Sequence, residues 1–279
     1  MGPLLFLVYI NDLPLRINSL AEPVLFADDT SVIISNINFI DFSTSANPVL
    51  AHMIEWFSAN MLVLNLEKTN IMKFLTINLP YCALTIGHKD KYIEEVVNLK
   101  FLGIQTDNHF NWKNHTDQII FKLGAACYIV RQMYYIRNND TLRSIYLAYF
   151  HCIVSYGIIF WGNSFNSKKI FTWQKRIIRI MVGAHPKAAC RNLFKKLEIL
   201  TVPSQCIYSL MRFFLIGNLE KFQTNSSVHS INTRNKHRLH RPVANLSCFQ
   251  KGISYSGIRI FNNLPRVLEA LKMKRHSFK

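Results

Sequence analysis

Hydrophobic residues in the first 110 positions occur mainly in short runs separated by polar turns. Two such runs, rich in Val, Ile, Leu and Phe, flank a pair of adjacent carboxylates, Asp28 and Asp29, within residues 24–34. Runs of this length and composition are typical of half-buried strands, and Asp-Asp is a common turn sequence. The pattern therefore predicts a β-hairpin that projects two negative charges from an apolar base.

The remainder of this part of the chain predicts both helices and strands. A helix is expected over residues 3–11, and a second, amphipathic helix over 48–60, with Asn47-Pro48 as its N-cap and first residue. That second helix is indicated by apolar residues at helical spacing: Leu50, Met53, Ile54, Phe57 and Met61. Short strands are expected over residues 61–65, 70–76, 84–87, 92–97 and 101–105. This order predicts an α+β fold, an antiparallel sheet with helices on one face.

From about residue 112 the pattern changes to helical periodicity. Helices are predicted over residues 113–136, 140–155, 168–182, 190–199, 203–220 and 255–273. Asp140 and Ser167 are the expected N-caps of the second and third, and Gly183 is the expected end of the third. The polar stretch 223–250 is expected to be a mobile basic loop. We therefore expect three regions, residues 1–110, 111–222 and 223–279.

Charge changes this picture because it is unevenly distributed. Residues 1–140 carry ten Lys and Arg against thirteen Asp and Glu, a net charge of −3, whereas residues 141–279 carry 23 against three, a net charge of +20. A basic half interleaved with aromatic residues favours nucleic-acid binding, the alternative being a basic tail that aids solubility. The candidate phosphate-binding residues lie on the third helix and in the polar stretch after it: Lys168, Lys169, Lys175, Arg176, Arg179, Arg234, Lys236, Arg238 and Arg241.

Cysteine spacing and hydropathy indicate the compartment of the protein and whether it spans a membrane. The six cysteines show no C-x-x-C spacing, which favours reduced thiols in an intracellular protein, in nucleus or cytoplasm. No signal-peptide pattern is present. The uncharged stretch 144–161 reaches the length of a membrane span, but its polar and aromatic residues and Gly157 favour a buried helix followed by an extended segment. We expect no membrane partner.

Four ordered segments resemble a known family. Phe26-Ala27-Asp28-Asp29 resembles the F/Y-A-D-D signature of reverse transcriptases, in particular those of jockey-like non-LTR retrotransposons. Residues 2–14 resemble the end of the family's template- and nucleotide-gripping motif, residues 64–69 (LNLEKT) its N-x-x-K-T segment, and residues 101–104 (FLGI) its primer grip. Asp107 and Trp112 extend the last of these, and a weaker likeness continues through residues 156–157 and 161–162.

The resemblance implies a partial polymerase palm followed by a helical, thumb-like region, and an RNA-directed DNA polymerase that uses two metal ions. It implies that Asp28 and Asp29 bind Mg²⁺ or Mn²⁺ and that Lys68 lies near the phosphates of the incoming nucleotide. Phe101, Leu102 and Gly103 would form the primer grip. The implied partners are an RNA template, a DNA primer and deoxynucleoside triphosphates.

The family also needs a metal-binding carboxylate from a strand upstream of the segment that begins at Gly2. We therefore expect a truncated reverse transcriptase, inactive unless its N-terminal half is supplied in trans. The alternatives are a non-catalytic RNA- or DNA-binding remnant and an unselected, decayed copy of the element. Without the resemblance, Asp28 and Asp29 would be a solvated turn and Lys68 a surface lysine.

Overall fold

The computed structural model of the chain describes residues 2–36, 39–74, 85–88, 91–136, 138–215, 219–229 and 234–265. The fold is mixed α and β, with about 56% helix and small sheets, which is compatible with the predicted α+β class. The chain divides into two compact units, residues 1–99 and 100–279.

The first unit combines helices with short strand pairs. Its elements are α1 (Gly2–Ile10), α2 (Leu13–Ile17), β1 (Glu22–Phe26), β2 (Asp29–Ile33), α3 (Phe39–Ala59), β3 (Asn70–Ile71), β4 (Gly87–His88), β5 (Lys91–Tyr92) and β6 (Glu94–Glu95). β1–β2 and β4–β5 are antiparallel, and β3–β6 is parallel. Strand β7 (Asn98–Phe101), which spans the boundary between the units, pairs with β8 (Ile104–Asp107). In the described residues, therefore, the strands form separate pairs, one of them parallel.

One apolar cluster fixes the predicted hairpin, which the structure confirms as β1–β2. Ile10, Leu13 and Ile17 from α1 and α2 pack with the buried face of α3, and Leu25 and Val32 of the hairpin pack against them. One face of the hairpin therefore packs against the apolar cluster formed by α1, α2 and α3.

Three local predictions in this unit differ from the structure. Helix α3 does not begin at Asn47-Pro48 but runs through Pro48, because its buried side chains extend on both sides of the proline, with Ala46 packed beside Leu50. The strand expected at residues 61–65 is irregular: Met61 adopts a positive φ, is exposed, and ends the helix instead of continuing its apolar face. The predicted strand at 70–76 is shortened to β3, and residues 75–84 lie outside the described residues.

The second unit is helical after β8. Its helices are α4 (Lys113–Met133), α5 (Asn139–Tyr146), α6 (Cys152–Ser155), α7 (Ile158–Trp161), α8 (Ser167–Val182), α9 (Arg191–Lys196), α10 (Val202–Leu215), α11 (Asn225–Val228), α12 (Ser247–Lys251) and α13 (Ile253–Asn262). A π-helical segment, Leu147–His151, continues α5 into α6, and 3-10 turns lie at Tyr134–Ile136 and Leu219–Lys221. One continuous core joins α4 to α10 and α13, with Trp161, Phe150 and Phe214 fully buried.

Several helix boundaries differ from the predicted ones. The cap of α5 is Asn138, whose side-chain oxygen accepts from the N–H groups of Asp140 and Thr141, so Asp140 lies inside the first turn. Ser167 is the first residue of α8, and its hydroxyl donates to the Ser164 carbonyl instead of capping. Gly183 ends α8 with φ of 67°, as predicted.

Residues 158–161 and 223–250 also differ from their predicted conformations. Residues 158–161 are helical, so the extended segment expected there is wrong. The basic stretch 223–250 is not one mobile loop: Leu239 is buried, and its N–H and carbonyl both bond to the Asn262 side chain. No helix in the described part of the chain is long and apolar enough to cross a membrane.

Candidate functional site

The Asp28-Asp29 pair lies at the tip of a tight hairpin. Phe26 pairs directly with Asp29, so Ala27 and Asp28 form a two-residue turn. Ala27 has φ of 52°, a left-handed conformation that residues with a Cβ rarely adopt. Two-residue hairpin turns commonly need a positive φ, because their twist then matches that of the flanking strands. The turn therefore places the two aspartates side by side at the tip of the hairpin.

The two faces of this hairpin differ. Leu25 and Val32 pack against the apolar cluster, whereas Val24, Phe26 and Ile33 are exposed on the opposite face, as the alternation of strand residues requires. Asp28 and Asp29 are both exposed. Neither strand has a further strand partner within the described residues. The tip thus presents its oxygen ligands to solvent beside an open apolar face.

Lys68 lies in a turn organised by Asn65. The Asn65 side-chain oxygen accepts from the N–H groups of Glu67 and Lys68, at 3.1 and 3.2 Å, and its carbonyl accepts from the Thr69 hydroxyl at 2.8 Å. The side chain of Lys68 is exposed. The Asn and Thr of the N-x-x-K-T pattern therefore fold the turn, and the Lys is left available.

Residues 101–104 form a second tight hairpin. Leu102 and Gly103 have φ of 46° and 81°, and positive φ at both central residues is characteristic of a type I′ turn. The Tyr156 hydroxyl donates to the Leu102 carbonyl, and a Cβ on Gly103 would contact the Tyr156 ring at 3.5 Å. The turn is therefore fixed by the Tyr156-Gly157 segment, a link that the sequence pattern did not indicate.

Asp107 organises the connection from β8 to α4. Its carboxylate accepts from the N–H groups of His109, Asn111 and Trp112, at 3.1, 2.9 and 2.8 Å. Trp112 itself has a positive φ of 61°. With three backbone donors, this carboxylate stabilises a loop and is not a free ligand.

Helix α8 separates an apolar face from a basic one. Ile170, Ile177 and Ile178 are buried, while the basic residues lie on the opposite side at 100° per residue. Three cations lie over aromatic rings: Lys168 over Phe165, Lys175 over Phe171 and Arg176 over Trp173, at 5.1, 4.2 and 5.1 Å from the ring centroids. Lys169 is 3.5 Å from Asp117, and Arg179 Nε donates to the Ala188 carbonyl. These contacts orient the predicted cations along one helix face.

The second group of basic residues lies around the Leu239 anchor. Arg234, Lys236 and Arg238 occupy a turn, with the backbone carbonyls of Lys236 and Arg238 accepting from the N–H groups of residues 226 and 225. Arg241 lies 5.5 Å from the centroid of the Tyr255 ring. This part of the basic surface is therefore held by backbone bonds as well as by the Leu239 anchor.

Buried thiols do not add a reactive group to these surfaces. The described cysteines are free, and burial raises the pKa of Cys127 and of Cys206 to about 11. Since the thiolate is the nucleophile, both are inert packing residues.

The predicted site residues therefore fall into separate groups. The structure brings Asp28 and Asp29 together and places Lys68 on another loop of the same unit, with no ion pair to either across the described residues. Phe101, Leu102 and Gly103 and the basic residues belong to the second unit. Within the described ranges, no cluster of three or more His, Cys, Asp or Glu residues could hold a metal ion. The turn-forming role of Asn65 could have been predicted from the preference of Asn for such turns.

Comparisons with known proteins give no family: neither a family model, nor a curated protein, nor a solved structure matches the chain.

Proposed function

We propose that this chain is part of an RNA-directed DNA polymerase of the jockey-like non-LTR retrotransposon type. The observation that carries the proposal is the hairpin of Phe26-Ala27-Asp28-Asp29, whose two-residue turn exposes adjacent carboxylates on a base held by the helices. The ordered segments at residues 2–14, 64–69 and 101–104 support the same assignment. The alternative of an ordinary solvated turn accounts for the exposed carboxylates but not for the order of the four segments.

The donor set at the hairpin tip fits a hard divalent cation. Mg²⁺ typically takes one or two protein carboxylates and completes its shell with water and phosphate oxygens, and Asp28 and Asp29 offer carboxylate oxygens only. A bound Mg²⁺ or Mn²⁺ would neutralise charge on the reacting phosphates. The chain itself positions the two aspartates: the turn places them at the hairpin tip, and Leu25 and Val32 anchor the hairpin to the apolar cluster.

Two further groups have roles under this proposal. The exposed ammonium of Lys68 would stabilise negative charge on the triphosphate, since the Asn65 turn leaves it free to reach a ligand. The tight 101–104 turn, held by Tyr156, would support the primer strand, because a glycine at its tip permits close backbone approach.

Primer extension tests the proposal. The purified chain is incubated with an RNA template, a DNA primer and nucleotides, in Mg²⁺ and then Mn²⁺, with and without a polypeptide that carries the family's fingers and first palm strands. We expect extension in the complemented reaction, its loss in Asp28→Asn, and its retention in Glu55→Gln. Glu55 is a matched control, because it is an exposed carboxylate on α3 that lies outside all four motif segments. Equal extension by Asp28→Asn, or none from a mixture that binds template and primer, would contradict the assignment.

A second candidate function is nucleic-acid binding without catalysis. The observation that favours it is the basic face of α8, where the cations lie opposite the buried face. Such binding should weaken steeply with salt, since each neutralised phosphate releases counterions. An RNA-binding titration against salt concentration tests this, and a logarithmic slope near zero would exclude it.

A further inference from the structure

Helix α4 carries exposed aromatic residues. Phe121, Tyr128 and Tyr135 are 85%, 63% and 82% exposed, unusually high values for large rings that could have packed inward. Phe121 and Tyr128 are seven residues apart on α4, so they lie on one side of the helix, about 10 Å apart along its axis. Tyr135 lies in the 3-10 turn directly after α4. The opposite side of α4, with Leu123, Val130 and neighbouring residues, belongs to the core.

This aromatic side lies next to the basic face of α8. The two helices run parallel, as successive contacts show: Asp117 with Lys169, Gly124 with Trp173, and Tyr134 with Gly183. The Gly124 position lies 3.9 Å from the Trp173 ring, measured from the place a Cβ would occupy. At 100° per residue, Phe121 and Tyr128 of α4 lie just outside this seam, as do the exposed cations Lys169 and Arg176 of α8.

The pair of helices therefore presents one composite surface, with a row of rings beside a row of positive charges. We define it as the α4–α8 surface, made of Phe121, Tyr128, Tyr135, Lys169 and Arg176. Asp117 is the acidic residue paired at its edge, with Lys169. Rings flanked by cations are the arrangement that binds unpaired bases by stacking while tracking the phosphate backbone.

We propose that the α4–α8 surface binds single-stranded RNA or DNA. This inference rests on the proposed function, which already includes a nucleic-acid partner. It adds that the nucleic acid bound at this surface is single-stranded. A base can stack on a ring only if its face is free, so a duplex, whose faces are stacked internally, would use the cations alone. A protein partner would not require phosphate-binding cations beside the rings.

Fluorescence anisotropy with two labelled probes, a 20-nucleotide single-stranded RNA and an RNA–DNA heteroduplex of the same length, tests the inference. The test variant is Tyr128→Gln/Tyr135→Gln. Its matched control is Tyr92→Gln/Tyr208→Gln, which removes two exposed tyrosines from other elements. We expect the test variant to bind the single strand roughly 30-fold more weakly with little change for the heteroduplex. The control should match the wild type for both probes, and circular dichroism should show equal helix content.

Each other outcome has a defined meaning. Unchanged single-strand affinity in the test variant would overturn the inference and leave the proposed function intact. Equal losses for both probes would also overturn it, because the rings would then not distinguish strand states. A loss of self-association instead of RNA affinity would assign the rings to a protein contact. If the wild type bound neither probe at low salt, the nucleic-acid partner itself, and with it the proposed function, would fail.

Discussion

Gln174 is the polar centre of the second unit, and its replacement gives a sharp test of how α8 is held. This side chain is 2% exposed and makes three hydrogen bonds. Its amide nitrogen donates to the Tyr146 hydroxyl at 2.9 Å and to the Leu200 carbonyl at 2.8 Å, and its oxygen accepts from the Val202 N–H at 2.8 Å. These bonds connect α8 to α5 and to the start of α10, so they fix the direction in which the basic face of α8 points.

Gln174→Leu keeps roughly the volume of the side chain but leaves two buried partners, the Tyr146 hydroxyl and the Val202 N–H, without it. A buried polar group that loses its partner costs about 1–3 kcal/mol, so a total destabilisation of about 2–6 kcal/mol is expected, a large part of the roughly 5–15 kcal/mol typical of a folded domain. Urea denaturation followed by tryptophan fluorescence measures it. We expect a lower midpoint at an unchanged slope.

The matched control is Gln205→Leu on α10, in the same unit. Gln205 is 9% exposed, but its amide makes only a 3.4 Å bond to the Ser209 hydroxyl. This substitution should cost about 1 kcal/mol or less. Equal midpoint shifts for the two variants would refute the reasoning, since burial alone, and not the hydrogen-bond network, would then determine the cost.

Three further predictions concern the second unit. Burial lowers the pKa of His115, whose Nδ1 accepts from the Gln105 N–H, so the unfolded chain binds the proton more readily than the folded chain. The free energy of unfolding should therefore fall as the pH drops below 6.5. Urea titrations at about pH 7.5 and about pH 5.5 measure this dependence, and His115→Asn should reduce it. Asp107→Ala removes the acceptor of three backbone N–H groups and should lower the free energy of unfolding by about 2–4 kcal/mol, whereas Asp107→Asn should recover part of it. Gly257→Ala would place a methyl group against the buried Phe214 ring and should cost about 1–3 kcal/mol in the same measurement, with no cost if the ring moves aside freely.

Where local pattern and tertiary packing agree, the fold could be predicted from the sequence. The β1–β2 hairpin, the start of α4 at Lys113 and the end of α8 at Gly183 followed from spacing and turn chemistry alone. The start of α3 could not, because Asn47-Pro48 is a favourable N-terminus locally, and the packing of residues before the proline decides otherwise. The strand expected at residues 61–65 was also wrong. Met61 is exposed and has a positive φ, so it packs neither on the apolar face of α3 nor in a strand.

The candidate site was less predictable because its parts are joined by contacts between distant residues. The pattern around Asp28 indicated a charged hairpin, but not that its turn needs a left-handed Ala27. The bond from Tyr156 to Leu102 joins residues 54 positions apart, and no local periodicity encodes it. The α4–α8 surface depends in the same way on the parallel packing of two helices, which places exposed rings of one beside cations of the other.

Positive φ values mark the places where the backbone turns sharply. Among the described residues, six with a side chain adopt positive φ: Ala27, Met61, Leu102, Phe110, Trp112 and Glu198. Ala27 and Leu102 lie at the tips of the two hairpins whose sequences resemble the metal-binding and primer-grip motifs, and Trp112 closes the loop that follows the second. A left-handed residue other than glycine costs about 1–2 kcal/mol and persists where the surrounding structure demands that geometry. A two-residue hairpin turn requires a positive φ whatever its function, so the conformations of Ala27 and Leu102 follow from the tightness of the two turns.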